Sequence, residues 1–160
     1  MTDAARPAER ELRAETVVAA APERVWAALT DFDALARWSP ETVRMLPLLR
    51  GGLRVGQQYL GINRRGAVVW PTRSVVAQVE APSVLVWDTR SSGARWIWEL
   101  SATDDGRTRV VHRRPVPQRL TRVSGVFARV LLGGAAGHAD ELEAGMRTTV
   151  ERLRAHVESA

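Results

Sequence analysis

The chain has 160 residues and a formal net charge of +5, and it contains no cysteine. All 23 of its Lys and Arg residues are arginine. This composition excludes disulfides, thiolate metal sites, a cysteine nucleophile, a lysine Schiff base and a phosphate loop with the usual lysine. Acidic residues are interspersed with the arginines, a pattern typical of a mixed, solvated surface.

The first ten residues are polar, and we expect residues 1–10 to form a frayed tail. They contain no apolar stretch of the signal-peptide kind, and no part of the chain approaches about eighteen consecutive uncharged apolar residues. We therefore expect a cytoplasmic protein without a membrane span. Its length predicts a single domain over residues 11–160.

The first structured elements are predicted to be one strand and two short helices. Apolar and polar residues alternate from Leu12 to Val18, which is the period of a half-buried strand. Pro22 then suits the first position of a helix that runs to about Phe32. A second short helix is predicted to end at Trp38, because Ser39-Pro40 follows it.

A series of strands separated by tight turns is predicted to follow and to form an antiparallel sheet. The Asp104-Asp105-Gly106 turn is typical of a hairpin. Pro71 predicts an edge or a bulge near Trp70, because proline cannot donate to a neighbouring strand. The predicted strands are Val43–Leu49, Gln57–Asn63, Val68–Val79, Val84–Arg90, Arg95–Ala102 and Thr108–Arg114.

Two helical patterns close the chain. Apolar residues recur at helical spacing from Leu120 to Leu132, and Gly133-Gly134 breaks that pattern. The second pattern predicts a long helix that starts near His138 to Asp140, with Asp140 and Glu143 as a capping box, and ends near Glu158. Its apolar stripe consists of Leu142, Met146, Thr149, Leu153 and Val157.

Short motifs along nearly the whole chain, from about Glu11 onward, resemble the START-like helix-grip superfamily, and within it the polyketide cyclase/dehydrase and lipid-transport-like (SRPBCC) branch. The resemblance rests on Ala21–Trp26, Leu29–Asp31, Trp38–Pro40, Gly52–Gly56, Glu80–Pro82, Trp98–Leu100, Gly106–Val110 and the amphipathic terminal helix. It implies an α+β helix-grip fold. That fold has a seven-stranded curved antiparallel sheet, two short helices after the first strand, and a long C-terminal helix on the concave face with a cavity beneath it.

Aromatic residues are the first candidates for lining the cavity that the resemblance implies. Each indole offers an apolar face and one N–H donor, so the set favours a flat or greasy ligand. The alternative is that they fill the core, as we expect for Trp26. The candidate ligand-binding residues are Trp38, Tyr59, Trp70, Trp87, Trp96, Trp98 and Phe127, with Leu142, Met146 and Thr149 from the terminal helix.

Polar residues on the same side of the sheet are the next candidates. If Trp98 faces inward, pairing across the hairpin places His112 on the same face. His112 is then the candidate catalytic residue, as a general base or as a hydrogen-bond partner of a ligand carbonyl. A structural role for this histidine is the alternative. Arg73 is a candidate partner for a carboxylate or phosphate head group.

Other functional signatures are absent from the sequence. The three histidines have no metal-ligand spacing, so we expect no metal site and no cofactor. The glycine-rich stretch at 133–137 follows a helix and not a strand, which argues against a phosphate loop. There is no G-x-S-x-G motif of the serine hydrolases.

Three functions are consistent with these observations. The first is binding of a small hydrophobic or aromatic molecule, lipid-like or polyketide-like, between the sheet and the terminal helix, with the segment 120–132 as a lid. The second is a cyclase or dehydratase reaction on the same scaffold that uses His112. The third is nucleic-acid binding, which we expect not to occur, by arginines that include Arg107, Arg109 and Arg113. The sequence does not determine the oligomeric state.

Overall fold

The computed structural model describes residues 10–115 and 135–160, with the side chains of 135–138 left aside. The predicted N-terminal tail, apart from Arg10, lies outside the described residues, and so do the predicted helix at 120–132 and Phe127. Within the described part there are seven strands and two α-helices, with a single 3₁₀ turn at Leu35–Arg37.

One antiparallel sheet holds all seven strands in the order β1-β7-β6-β5-β4-β3-β2. Each strand from β2 to β6 pairs with the next along the chain, and β7 also pairs with β1. This is the predicted α+β helix-grip architecture. The strands are β1 (Leu12–Val18), β2 (Thr42–Pro47), β3 (Gln58–Arg65), β4 (Val68–Glu80), β5 (Val84–Thr89), β6 (Ala94–Ala102) and β7 (Thr108–Arg114).

Two helices complete the fold. Helix α1 (Pro22–Thr30) has Pro22 at its start, as predicted, and buries Val25 and Leu29. The terminal helix α2 (Ala135–Glu158) has 24 residues and is therefore about 36 Å long. It packs mainly on β1 and also contacts α1 and β7. None of the described helices combines the length and apolarity needed to cross a bilayer.

The terminal helix begins earlier than predicted. It already includes Ala135, so Asp140 lies inside the helix and the predicted capping box with Glu143 does not form its start. Both carboxylates instead bind Arg10, at 3.0 Å for Asp140 and 2.7 Å for Glu143. The two carboxylates that local spacing assigned to a helix cap therefore pair with Arg10, which is more than a hundred residues away in sequence.

The hydrophobic core lies between α2, α1 and the concave face of the sheet. Side chains on that face alternate with solvent-facing ones along β1, where Leu12, Ala14 and Val18 are buried. Residues of α2 complete the core at Met146, Val150, Leu153 and Val157. Because burial of apolar surface is the main stabilising contribution to folding, this interface fixes α2 on the sheet.

The convex face carries ion pairs. Arg113 binds Glu99 at 2.7 Å and Glu11 at 2.9 Å, and Arg109 binds Glu15 at 3.0 Å. Arginines that could form a cationic patch on this side of the sheet are therefore next to carboxylates.

The β4 strand confirms the predicted edge character at Pro71. Its register with β5 begins at Ser74, and Arg90 donates its backbone N–H to the carbonyl oxygen of Arg73 at 2.7 Å. The register with β3 continues to Val68, beyond the last described pair with β5. The irregularity in β4 lies further along, between Val76 and Gln78. Proline is tolerated here because one side of the strand needs no donor.

Candidate functional site

An aromatic surface on the concave face is built by the register of β5, β6 and β7. Trp87 pairs with Trp96 across β5 and β6, and Trp98 pairs with His112 across β6 and β7. Cross-strand partners share one face of a sheet, so these four side chains lie side by side. Trp38, which follows the 3₁₀ turn, joins them. We call Trp38, Trp87, Trp96, Trp98 and His112 the aromatic wall.

Ring stacking orders the aromatic wall. The His112 ring is stacked with Trp98 at a centroid distance of 3.8 Å and with Trp96 at 5.6 Å, both with an interplanar angle of 17°. Trp38 meets Trp98 edge to face at 6.1 Å. Stacked and edge-to-face pairs fix the ring planes, so the rings of the wall are held in defined orientations.

The electrostatics of His112 follow from its burial. Its Nδ1 lies 3.1 Å from the carbonyl oxygen of Ile97. Because a carbonyl oxygen only accepts, Nδ1 carries the proton and Nε2 is left as an acceptor. Burial lowers the pKa of His112 to about 3, against the hydrogen bond to Ile97, which raises it. The imidazole is therefore neutral at physiological pH.

Two indole N–H groups of the aromatic wall have no acceptor among the residues that the structure describes. Trp38 is 1% exposed and Trp98 is 2% exposed, and the Nε1 of each is buried without a hydrogen-bond partner among the described residues. Buried polar groups in folded proteins are almost always paired, so these two donors call for an acceptor other than the described residues. Such an acceptor could come from a ligand.

Arg114 lies at the end of the aromatic wall. It is opposite Leu12 in the β1–β7 register, which places it on the concave face with His112. Its guanidinium lies over the Trp96 ring, with Cζ 5.4 Å from the ring centroid. Its Nε is buried and has no hydrogen-bond partner in the described part of the chain. The aromatic wall thus provides apolar rings, indole N–H donors and the acceptor Nε2 of His112, and Arg114 adds one cation beside it.

A separate cavity of about 620 Å³ opens beside the C-terminal end of α1. It lies between the segment that follows α1 and the β2–β3 loop. Tyr59 lines it and meets Phe32 edge to face at 4.8 Å. The other lining residues are Thr30, Asp31, Asp33, Met45, Pro47, Leu48, Leu49, Arg50, Gly51, Gly52, Leu53 and Gln57.

Gln57 shapes this cavity although it was not a candidate residue. It is fully buried, and its Nε2 donates to the carbonyl oxygens of Leu49 at 2.9 Å and Gly52 at 3.0 Å. These bonds hold the β2–β3 loop against the sheet. The sequence carries no signal for this role, because glutamine beside a glycine-rich turn is typical of an exposed position.

The predicted site residues are only partly brought together. Trp38, Trp87, Trp96, Trp98 and His112 form the aromatic wall, and the predicted inward orientation of His112 is confirmed. Tyr59 instead lines the cavity near α1. Trp70 is partly buried opposite Asn63 on β3.

The remaining candidates differ in their surroundings. Met146 is buried in the core, and Leu142 is partly buried against it. Thr149 donates its hydroxyl to the carbonyl oxygen of Gly145 at 2.7 Å. Arg73 is not brought to the site: it is exposed, and its guanidinium binds Gln58. The reason is strand parity, since the neighbouring Ser74 is the residue that faces the core.

Metal binding has no structural support within the described ranges. No group of three or more His, Asp or Glu residues among them lies close enough to hold a metal ion. The interactions seen at the aromatic wall are stacking, hydrogen bonding and the contact of the Arg114 guanidinium with Trp96.

Comparison with known structures gives the same architecture at low sequence identity. The Zhui aromatase/cyclase from Streptomyces is 20% identical, with 93% of each chain covered and a TM-score of 0.71. TTHA0849 from Thermus thermophilus is 18% identical over 93% of this chain and 97% of that one, with a TM-score of 0.68. The polyketide-cyclase-like protein Cgl2372 from Corynebacterium glutamicum is 19% identical over 92% and 91%, with a TM-score of 0.61.

Sequence comparison identifies the family. No curated protein sequence matches the chain. The family model described as polyketide cyclase/dehydrase and lipid transport matches residues 9–158. That match includes all seven strands and both described helices. The chain therefore belongs to the polyketide cyclase/dehydrase and lipid transport family.

Proposed function

We propose that the protein binds a small aromatic or hydrophobic molecule against the aromatic wall. The observation that carries this proposal is the pair of buried indole N–H groups of Trp38 and Trp98, which have no acceptor among the described residues. A bound molecule with a carbonyl or hydroxyl oxygen would satisfy them. The stacked rings beside them would contact its apolar body.

Burial of the ligand would provide most of the affinity. Enclosing roughly 300–500 Å² of apolar ligand surface, at about 25 cal/mol per Å², gives about 7–12 kcal/mol. Lost translational and rotational freedom offsets several kcal/mol of this gain. We therefore expect micromolar dissociation constants for a well-fitting ligand.

The properties of His112 favour binding over proton transfer. A cyclase or dehydratase reaction needs a base whose pKa lies near the working pH. Burial lowers the pKa of His112 to about 3, so its neutral imidazole is a weak base. In the binding role, Nε2 accepts a hydrogen bond from a ligand hydroxyl while Nδ1 remains bonded to Ile97.

The proposal is tested with a neutral aromatic probe, 2-naphthamide, by isothermal titration calorimetry. We expect saturable binding to the wild-type protein. Trp96→Leu should weaken it about tenfold or more, because this substitution removes a ring that contacts the ligand. Trp26→Leu is the matched control: Trp26 is also a partly buried indole, but it lies on α1 outside the aromatic wall.

Two results would contradict the proposal. One is the absence of saturable binding up to about 1 mM, a concentration far above the micromolar dissociation constants expected. The other is an equal loss of affinity in Trp96→Leu and Trp26→Leu. That result would show that the loss comes from general destabilisation of the protein and not from a contact with the ligand. Circular dichroism of both variants checks that the fold is retained.

A further inference from the structure

Arg114 is a charged side chain in direct contact with the aromatic wall. It lies on the concave face, and its guanidinium covers the ring of Trp96. Its Nε is buried without a hydrogen-bond partner among those residues. A guanidinium has five N–H donors in a fixed fork, so a partly buried arginine with an unpaired Nε has unused binding capacity.

The adjacent residue on β7 provides the comparison. Arg113 projects to the convex face, where Glu99 and Glu11 bind its guanidinium at 2.7 Å and 2.9 Å. No described carboxylate lies within ion-pair distance of Arg114. Two consecutive arginines thus differ in one respect that matters for function: carboxylates neutralise the solvent-side residue, whereas no described carboxylate neutralises the residue beside the aromatic wall.

The burial of Arg114 raises the energetic cost of lacking a carboxylate partner among the described residues. Removing a guanidinium from water without an anionic partner is unfavourable, and burial accordingly lowers the pKa of Arg114. Arginine is nevertheless charged at any physiological pH, so neutralisation by proton loss does not solve the problem. An anion supplied by a ligand would both pair the charge and satisfy Nε.

We propose that Arg114 binds the carboxylate of an aromatic acid whose rings lie on the aromatic wall. This inference rests on the proposed function and specifies its ligand class. The planar guanidinium matches a carboxylate through two parallel N–H···O bonds. Because Arg114 lies over Trp96, a carboxylate bound there places an attached ring next to Trp96 and His112.

The ligand class follows from the order of groups along the wall. Arg114 contacts Trp96, Trp96 stacks with His112, His112 stacks with Trp98, and Trp98 meets Trp38. The cation is at one end of this series, and the two unpaired indole N–H groups are at the other. A flat acid with a second oxygen on its far ring would address both ends.

The test compares two probes of equal shape, 2-naphthoate and 2-naphthamide, by isothermal titration calorimetry at neutral pH. With the wild-type protein, we expect the carboxylate to bind roughly 10- to 100-fold more tightly than the amide. Arg114→Gln should reduce this ratio to about one. Arg113→Gln removes the same charge from the same strand but on the opposite face, so it should retain the wild-type ratio.

The outcomes separate this inference from the proposed function. Equal affinity of both probes for the wild-type protein overturns the role of Arg114 and leaves aromatic binding intact. Binding of neither probe overturns both. A ratio lowered equally by Arg113→Gln and Arg114→Gln overturns the inference, because it would reflect net charge alone. If Arg114→Gln does not fold, Arg114→Lys replaces it, with an intermediate ratio expected from a cation that lacks the fork.

Discussion

The imidazole of His112 is stacked on the indole of Trp98, with the ring centroids 3.8 Å apart and the planes inclined by 17°. The two residues are also register partners on β7 and β6. This relationship explains both the burial of His112 and its neutral state, because an aromatic face provides no solvation for an imidazolium comparable to water. The histidine therefore contributes aromatic surface and one acceptor nitrogen to the wall.

The buried histidine predicts a specific dependence of stability on pH. Burial lowers the pKa of His112 to about 3 in the folded state, whereas an unfolded histidine titrates near 6.5. Between these values the unfolded chain binds more protons, so stability is complete above about pH 6.5 and falls as the pH decreases. Between pH 7 and pH 5, we expect the free energy of unfolding to fall by about 2 kcal/mol.

Urea denaturation at pH 7 and pH 5 measures this loss, with His112→Gln as the comparison. The variant keeps a polar side chain but cannot titrate, so about 2 kcal/mol of the pH dependence should disappear. Carboxylates that titrate in the same range contribute equally to both proteins. An identical pH dependence in the wild type and the variant would show that folding does not lower the pKa of His112.

The absence of a side chain at Gly61 is required by its neighbour across the strands. A Cβ at this position would lie 2.7 Å from Oγ1 of Thr72, which is also held by the Nδ2 of Asn63 at 3.0 Å. We expect Gly61→Ala to lower the free energy of unfolding by about 1–2 kcal/mol, because relief of the contact breaks that hydrogen bond.

A double-mutant cycle in urea tests the cause. In a Thr72→Ala background the clashing oxygen is absent, so Gly61→Ala should cost clearly less than in the wild type. If the cost is the same in both backgrounds, the close approach to Thr72 is not the reason that glycine occupies position 61.

Carboxylates of α2 cover the free edge of β1. Glu143 accepts the backbone N–H of Arg13 at 3.1 Å, and Glu158 accepts that of Ala19 at 2.8 Å. Glu143→Ala should lower the free energy of unfolding by about 1–2 kcal/mol and accelerate amide hydrogen exchange at Arg13. Glu151→Ala is the control, because that exposed residue only approaches Arg154 on its own helix. Unchanged exchange at Arg13 in Glu143→Ala would contradict this role.

The register of the β6–β7 hairpin could be derived from sequence because one short turn determines it. The Asp104-Asp105-Gly106 turn sets the pairing, and the pairing places His112 beside Trp98 and Val110 beside Leu100. Side chains alternate strictly along a strand, so one correct pair fixes all the others. The fold and the membership of the aromatic wall were therefore predictable over these two strands.

Features that depend on distant residues were not predictable in the same way. The strand around Arg73 has no clear alternation, so its orientation depends on Ser74, which pairs through its hydroxyl with Thr89 at 3.2 Å. The cavity near α1 depends on the buried Gln57, whose bonds to a loop carry no sequence pattern. That Arg114 has no carboxylate partner in the described part of the chain is visible only once the carboxylates around its neighbour are located.

The most direct test of the central claim is NMR of the indole N–H groups in ¹⁵N-labelled protein. The six tryptophans give separate signals that single Trp→Phe variants assign. Addition of 2-naphthamide to saturation should shift the Nε1–H signals of Trp38 and Trp98 and slow their exchange with solvent, because each gains an acceptor. The signal of Trp26 should stay in place. Saturation that leaves the Trp38 and Trp98 signals unchanged would show that the aromatic wall is not the binding site.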